Sequence, residues 1–182
     1  MIKSNLNNIL LFLENQEMKG TILGKKNGIP IETLYVAMGP DQEGRDLILQ
    51  IKLLQENIKQ EKEALRLHST HEEYTIIHFF LPLPFKVEER NLSEVSRLIL
   101  LINKSLTLPG FEMSEVDRLI YFRNVLLTGD QVDELLLKTI IGNIILYVDI
   151  FSKTLEDVGN GRMTLSDVIN HVLIQAQSPH VD

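Results

Sequence analysis

The sequence of 182 residues contains no cysteine and no tryptophan, and aromatic residues make up only 6% of it. Without a thiol the chain has no thiolate nucleophile, no thiolate-ligated metal centre and no disulfide. It therefore gives no sign of an oxidising compartment. Runs of basic residues are also missing, and the net charge of −7 argues against a general nucleic-acid or acidic-membrane binder.

Long hydrophobic runs are missing as well. The most apolar stretches, residues 76–85 and 139–148, each span about ten residues, roughly half of what a membrane-spanning helix needs. Polar residues interrupt the apolar segment near the N-terminus, and no small-residue cleavage site follows it. We therefore expect a soluble, cytoplasmic chain that does not enter a membrane.

The residues that are present indicate one folded domain. At 44% hydrophobic and 24% charged, the chain has the composition of a globular protein, and its length suffices for a core without metals or disulfides. We predict a single α+β domain over residues 1–176, followed by a frayed tail over residues 177–182.

Six segments have strand character. Asn27-Gly28 suits a tight hairpin turn between strands at 20–26 and 29–38. A third strand is expected within 47–54 and a fourth at 74–81, where Pro82 and Pro84 should prevent regular central pairing and leave an extended exit. Residues 111–114 and 118–127 should form a second hairpin.

Four segments have helical periodicity. They are residues 5–17 with Ser4 as N-cap, 93–106 with Asn91 or Ser93 as cap, a long helix capped by Asp130, and a final helix starting at Thr164 or Ser166. The long helix should be largely buried on the sheet, with pairing to a second copy as the alternative. Residues 56–73 fit a solvated helix and a long exposed connection equally well.

Residues with metal-binding or catalytic chemistry do not form a recognisable motif. His68, His71 and His78 fall close together, but spacing dictates no further ligand. Adjacent acidic residues point to different faces of a helix or strand, so they do not converge on one substrate atom. We therefore predict no catalytic residue, no metal and no cofactor.

The order of elements in the C-terminal two thirds resembles a known family. Leu81-Pro82-Leu83-Pro84-Phe85 closes an apolar strand, a capped helix leads to Pro109-Gly110-Phe111, and a hairpin and a long aliphatic helix follow. This order is similar to that of the YbjN-type family, described as bacterial sensory-transduction regulators, over about residues 4–156. The resemblance implies a twisted antiparallel sheet packed against helices, like that of type III secretion chaperones. It also implies no cofactor, no catalysis and a tendency to dimerise or to bind another polypeptide.

These considerations favour a non-enzymatic, chaperone-like or regulatory binding module that acts as a homodimer on another polypeptide. Pro82, Pro84 and Phe85 are the candidate interaction surface, since the prolines favour an exposed edge. The alternative is a regulatory domain that binds a small ligand in a pocket between sheet and helices, lined by Phe80, Tyr121 and Tyr147.

Overall fold

A computed structural model describes residues 1–56, 74–108 and 110–177. Within these residues the chain forms eight strands and four helices. The strands are Ile2–Lys3 (β1), Gly20–Leu23 (β2), Thr33–Pro40 (β3), Asp46–Glu56 (β4), Tyr74–Lys86 (β5), Phe111–Ser114 (β6), Leu119–Thr128 (β7) and Gln131–Val132 (β8). The helices are Leu6–Glu14 (α1), Leu92–Ser105 (α2), Glu134–Gly159 (α3) and Leu165–Gln177 (α4).

Six strands form one antiparallel sheet in the order β2-β3-β4-β5-β7-β6. The predicted α+β class with an antiparallel sheet is therefore confirmed, whereas the likeness to secretion chaperones stays a prediction. Side chains of β5 alternate strictly between buried and half-buried positions, as the two-residue period of a strand requires. The helices cover the face that carries Ile77, Phe79 and Leu81.

β5 continues through both prolines to Lys86, so the predicted strand end at Leu81 is wrong, whereas the prediction that the prolines prevent regular central pairing is confirmed. β4 accompanies β5 only as far as the pair Gln50–Phe80. Beyond that pair β7 is the neighbour, with Pro82 opposite Tyr121 and a register shift between Pro82 and Lys86. Proline lacks an N–H donor and is tolerated here because the strand has one neighbour at this point and an irregular register.

The first hairpin has a longer connection than predicted. A short 3-10 turn at Lys25–Asn27 separates β2 from β3, and Pro30 lies in the connection, outside the ladder. Of the two predicted turn residues, Gly28 alone has a positive φ, +79°. The Asn27 side chain accepts a hydrogen bond from the Gly24 N–H at 3.3 Å, which closes the turn locally.

Two helices begin at other residues than predicted. Asn5, and not Ser4, caps α1 by accepting the Asn8 N–H at 2.9 Å. Asp133, and not Asp130, caps α3 by accepting the Leu136 N–H at 3.0 Å. The two-residue strand β8 lies between those aspartates and pairs with β1, which delays the start of α3.

The corner between α2 and β6 is closely packed. The Asn103 side chain accepts the N–H groups of Gly110 and Phe111 and donates to the Phe111 carbonyl at 2.8 Å. A Cβ at Gly110 would lie 2.4 Å from the Arg123 carbonyl oxygen, closer than any real contact. This approach brings β6 onto β7 and places the Phe111 ring edge-on to Phe122, with centroids 5.0 Å apart.

The core and the chain end complete the fold. One cluster of buried side chains extends from Leu6 in α1 to Leu165 in α4. The single-domain prediction for 1–176 remains a prediction. α4 begins after Thr164 and ends at Gln177, and the predicted tail beyond it lies outside the described residues, as do residues 57–73.

Candidate interaction surface

The long helix α3 buries one face only. Leu137, Ile141 and Ile144 are essentially inaccessible, whereas Leu135, Leu146 and Ile150 are 72%, 50% and 53% exposed. The prediction that this helix is largely buried is therefore wrong. The helix is apolar nearly all round, but the sheet can cover only the side that faces it.

The exposed residues of α3 form a continuous stripe, here called the α3 stripe: Leu135, Thr139, Gly142, Leu146 and Ile150. Their spacing of three or four residues places them along one side of the helix. Apart from the two neighbouring residues and the adjoining backbone of the helix itself, no described atom lies within 4 Å of the position that a Cβ would take at Gly142. The middle of the stripe is thus a shallow gap between larger apolar side chains.

A cleft of about 360 Å³ adjoins the stripe. It lies between α3 and the connection from β3 to β4, and its volume falls within the usual range for small-ligand sites. The apolar lining side chains include Met38, Leu47, Leu81, Ile145, Leu146 and Val148. The cleft therefore offers an apolar wall that continues onto the exposed face of α3.

Arg45 closes the polar end of this cleft. Its Nη1 and Nη2 donate to the two oxygens of Glu156 at 3.0 and 2.8 Å, and its Nε donates to Asp41 Oδ2 at 2.8 Å. The Arg45 guanidinium carbon also lies 5.7 Å from the centre of the Phe85 ring. The arginine thus ties the β3–β4 connection to α3.

The same contacts keep both carboxylates ionised. Hydrogen bonds from Arg45 lower the pKa of Glu156, although burial opposes them. Burial alone would raise the pKa of Asp41, but hydrogen bonds from Arg45 and from the Glu43 N–H bring it below its usual value. A general acid needs a raised pKa, so these shifts suit a structural clamp and do not suit proton donation.

The predicted surface of Pro82, Pro84 and Phe85 does not share one face. Strand alternation places the half-buried prolines on the side of β5 away from the helices. Phe85 faces the core, where it is 9% exposed and packs beneath Arg45. The prolines remain available for contact, while Phe85 belongs to the clamp.

The predicted pocket residues are also separated. Phe80 and Tyr121 stack with centroids 4.7 Å apart, and Phe80 points away from the helices. Tyr147 packs beside Phe122 on the face of the sheet that the helices cover, with ring centroids 6.1 Å apart. None of the three lines the cleft, so the predicted lining is wrong, although a cleft between sheet and helix exists.

The described residues contain no group of three or more His, Asp or Glu side chains suited to hold a metal. His78 lies within β5, whereas His68 and His71 lie outside the described ranges.

The last helix exposes a second apolar surface. Leu165 is buried and its N–H donates to Glu94 Oε2 at 2.9 Å, which fixes the start of α4 beside α2. Further along, Ile169, Val172 and Leu173 are all exposed. α4 therefore extends away from the core with apolar side chains uncovered by the described part of the chain.

Length and composition alone would allow α3 to span a membrane. Core helices of soluble proteins pass the same test, and α3 packs its inner face on the sheet. The expectation that the chain stays out of the membrane remains a prediction.

Together, these features define an α+β protein with a closed structural core and exposed apolar helix surfaces, the anatomy of a binding module. Residues 70–157, just under half of the chain, match the YbjN family, described as "Putative bacterial sensory transduction regulator". The predicted resemblance to this family is therefore confirmed over that segment. No curated protein and no solved structure matches the chain significantly.

The matched segment contains β5 through β8, α2 and nearly all of α3. It thus includes the α3 stripe but not the β3–β4 side of the cleft. Sequence reasoning missed both features. Gly142 in the middle of an apolar helix was the available signal for the stripe, whereas no local pattern connects Arg45 to Glu156, which lies 111 residues further along.

Proposed function

We propose that this chain is a non-enzymatic, cytoplasmic regulatory module that acts by binding another polypeptide, in a chaperone-like manner and as a homodimer. The observation that carries the proposal is the α3 stripe, where Leu135, Leu146 and Ile150 are about half exposed or more. Exposed apolar patches of this kind mark interaction sites in soluble proteins. The description of the YbjN family as a regulator agrees with it.

The test compares polypeptides that co-purify with the full chain and with a Leu146→Lys/Ile150→Lys variant. Both positions are exposed, so the variant should fold while its stripe becomes charged. A matched control is Leu11→Lys/Leu100→Lys, which adds the same charge at two exposed leucines on other helices. We expect a bound polypeptide to be lost from the first variant only. Identical profiles for all three proteins would overturn the proposal.

The cleft supports a second candidate, a regulatory domain that binds a small ligand. Its mostly apolar wall and its one closed polar end favour an apolar molecule with a polar head. A ligand bound only by the folded chain must raise the melting temperature. Screening a metabolite library with the native chain and with Ile145→Trp, which fills the mouth, tests this. A shift that Ile145→Trp leaves unchanged would exclude the cleft.

A further inference from the structure

We propose that the α3 stripe is covered by the α3 stripe of a second copy of this chain, with the two helices antiparallel around a two-fold axis near residues 143 and 144. This inference rests on the proposed function, since it names the occupant of that surface and its orientation.

The first observation is the gap at Gly142. Glycine in the middle of a helix is unfavourable relative to alanine, because it loses more conformational freedom on folding. The packing within the described residues does not require glycine at this position, since no described atom beyond the adjoining helix residues comes within 4 Å of where a Cβ would lie. Close packing of a second helix from outside would require glycine, because only a small residue lets two backbones approach.

The second observation is the order of charges on α3. From its start to Lys153 the helix carries four charged residues: Glu134, Lys138, Asp149 and Lys153. When two copies of α3 lie antiparallel and are centred near residues 143 and 144, residue 134 of one copy lies opposite residue 153 of the other. Residue 138 likewise lies opposite residue 149. Each acid then meets a base. Parallel helices in register would instead place every charge beside its own copy.

Two of these charges lack a partner within the described chain. Lys138 and Asp149 are exposed and form no ion pair with another described residue, whereas Glu134 forms one ion pair and Lys153 forms two. Both lie on the same flank of the stripe, beside Gly142. A two-fold axis therefore brings Lys138 of each copy to Asp149 of the other.

The apolar residues fit the same register. Leu146 lies within one residue, about 1.5 Å along the helix, of the position facing the second copy's Gly142. Leu135 lies within two residues of the position facing Ile150. Leu146 of each copy thus fills the gap at Gly142 of the other copy, and Leu135 and Ile150 cover the two ends of the interface.

Cysteine cross-linking tests the orientation without interference, because the native chain has no cysteine. Leu135→Cys and Ile150→Cys are prepared separately, mixed and oxidised. We expect a disulfide between the two variants and none within either variant alone, since a bridge needs Cα atoms within about 7 Å. Cross-linking of each variant only to itself, or no cross-linking at all, would overturn the antiparallel arrangement.

A charge exchange tests the register in sedimentation equilibrium at low salt. Lys138→Glu should weaken self-association about fivefold to tenfold. The variant glutamate of each copy would face Asp149 of the other copy, so that the dimer contains two repulsive acid pairs. The double variant Lys138→Glu/Asp149→Lys should restore it, whereas Lys104→Glu on α2 should have no effect. Failure of the double variant to recover contradicts the pairing. A strictly monomeric chain that loses a foreign polypeptide on Leu146→Lys/Ile150→Lys would refute this inference and the homodimer, and would leave standing only the proposal that the stripe binds another polypeptide.

Discussion

The two faces of α3 are almost equally apolar, yet they have different roles. On the inner face Ile141 and Val148 are buried against the sheet, while on the outer face Leu146 and Ile150 are about half exposed. Hydrophobic content therefore does not separate residues that hold the fold together from residues that are free to bind. What separates them is packing, and packing sets the size of the expected mutational effects.

The largest expected effect comes from a matched truncation on the two faces. Ile141→Ala should lower the free energy of unfolding by about 2–5 kcal/mol, because it leaves a cavity in a closed core. Leu146→Ala should change it by no more than about 0.5 kcal/mol in a monomeric sample, since the side chain already contacts water. Urea unfolding at high dilution measures both. Equal losses would show that the outer face is also structural.

The Arg45 clamp should have the next largest effect. Arg45→Ala leaves Asp41 without its cation and Glu156 with only the more distant Arg162 at 3.8 Å, although the two carboxylate side chains are only 5% and 10% exposed. We expect a loss of about 2–4 kcal/mol, the lower values reflecting the partial exposure of the arginine. Arg162→Ala is the control, because this half-exposed arginine pairs closely with Asp157 and reaches Glu156 only at 3.8 Å, so that its loss should cost about 1 kcal/mol or less. A clamp variant no weaker than this control would contradict the structural role.

Acid should weaken the same clamp. The pKa values of Glu156 and Asp41 are lowered in the folded chain, so the unfolded chain binds protons first as the pH falls. Their stabilisation is present above the usual carboxyl range and is lost as the pH drops through it toward the folded values. Urea midpoints measured from about pH 7 to pH 3 should decline less steeply for Arg45→Ala than for the native chain. Parallel declines would assign the acid sensitivity to other groups.

The smallest effect concerns the start of α3. Asp133→Ala should cost about 1 kcal/mol, because it removes the acceptor for the Leu136 N–H. Asp130→Ala should cost less than about 0.5 kcal/mol, since its side chain does not cap the helix. Thermal unfolding of the two variants distinguishes the caps. A larger loss at Asp130 would favour the cap expected from the sequence.

The predictable part of this fold is the part with local periodicity. The apolar, β-branched and aromatic runs in β4 and β5 and the 3,4 spacing on α3 predict strands and a helix correctly. Sequence alone could not place the N-cap, because β8 is only two residues long and exists through its pairing with β1. Nor could it show which side of α3 the sheet covers, or that Arg45 meets Glu156, because tertiary packing creates both.

Two glycines are expected to tolerate substitution differently, because one lies in the closed core and the other on the exposed face of α3. At Gly110 the chain itself forbids a side chain, since a Cβ would clash with the Arg123 carbonyl. A randomised library selected for folding alone should return only glycine there. At Gly142 the folded monomer has room for a Cβ, so the same selection should accept alanine freely. Only a selection that requires self-association should restrict position 142 to the smallest residues. The two selections would therefore separate a glycine that the fold requires from a glycine that binding requires.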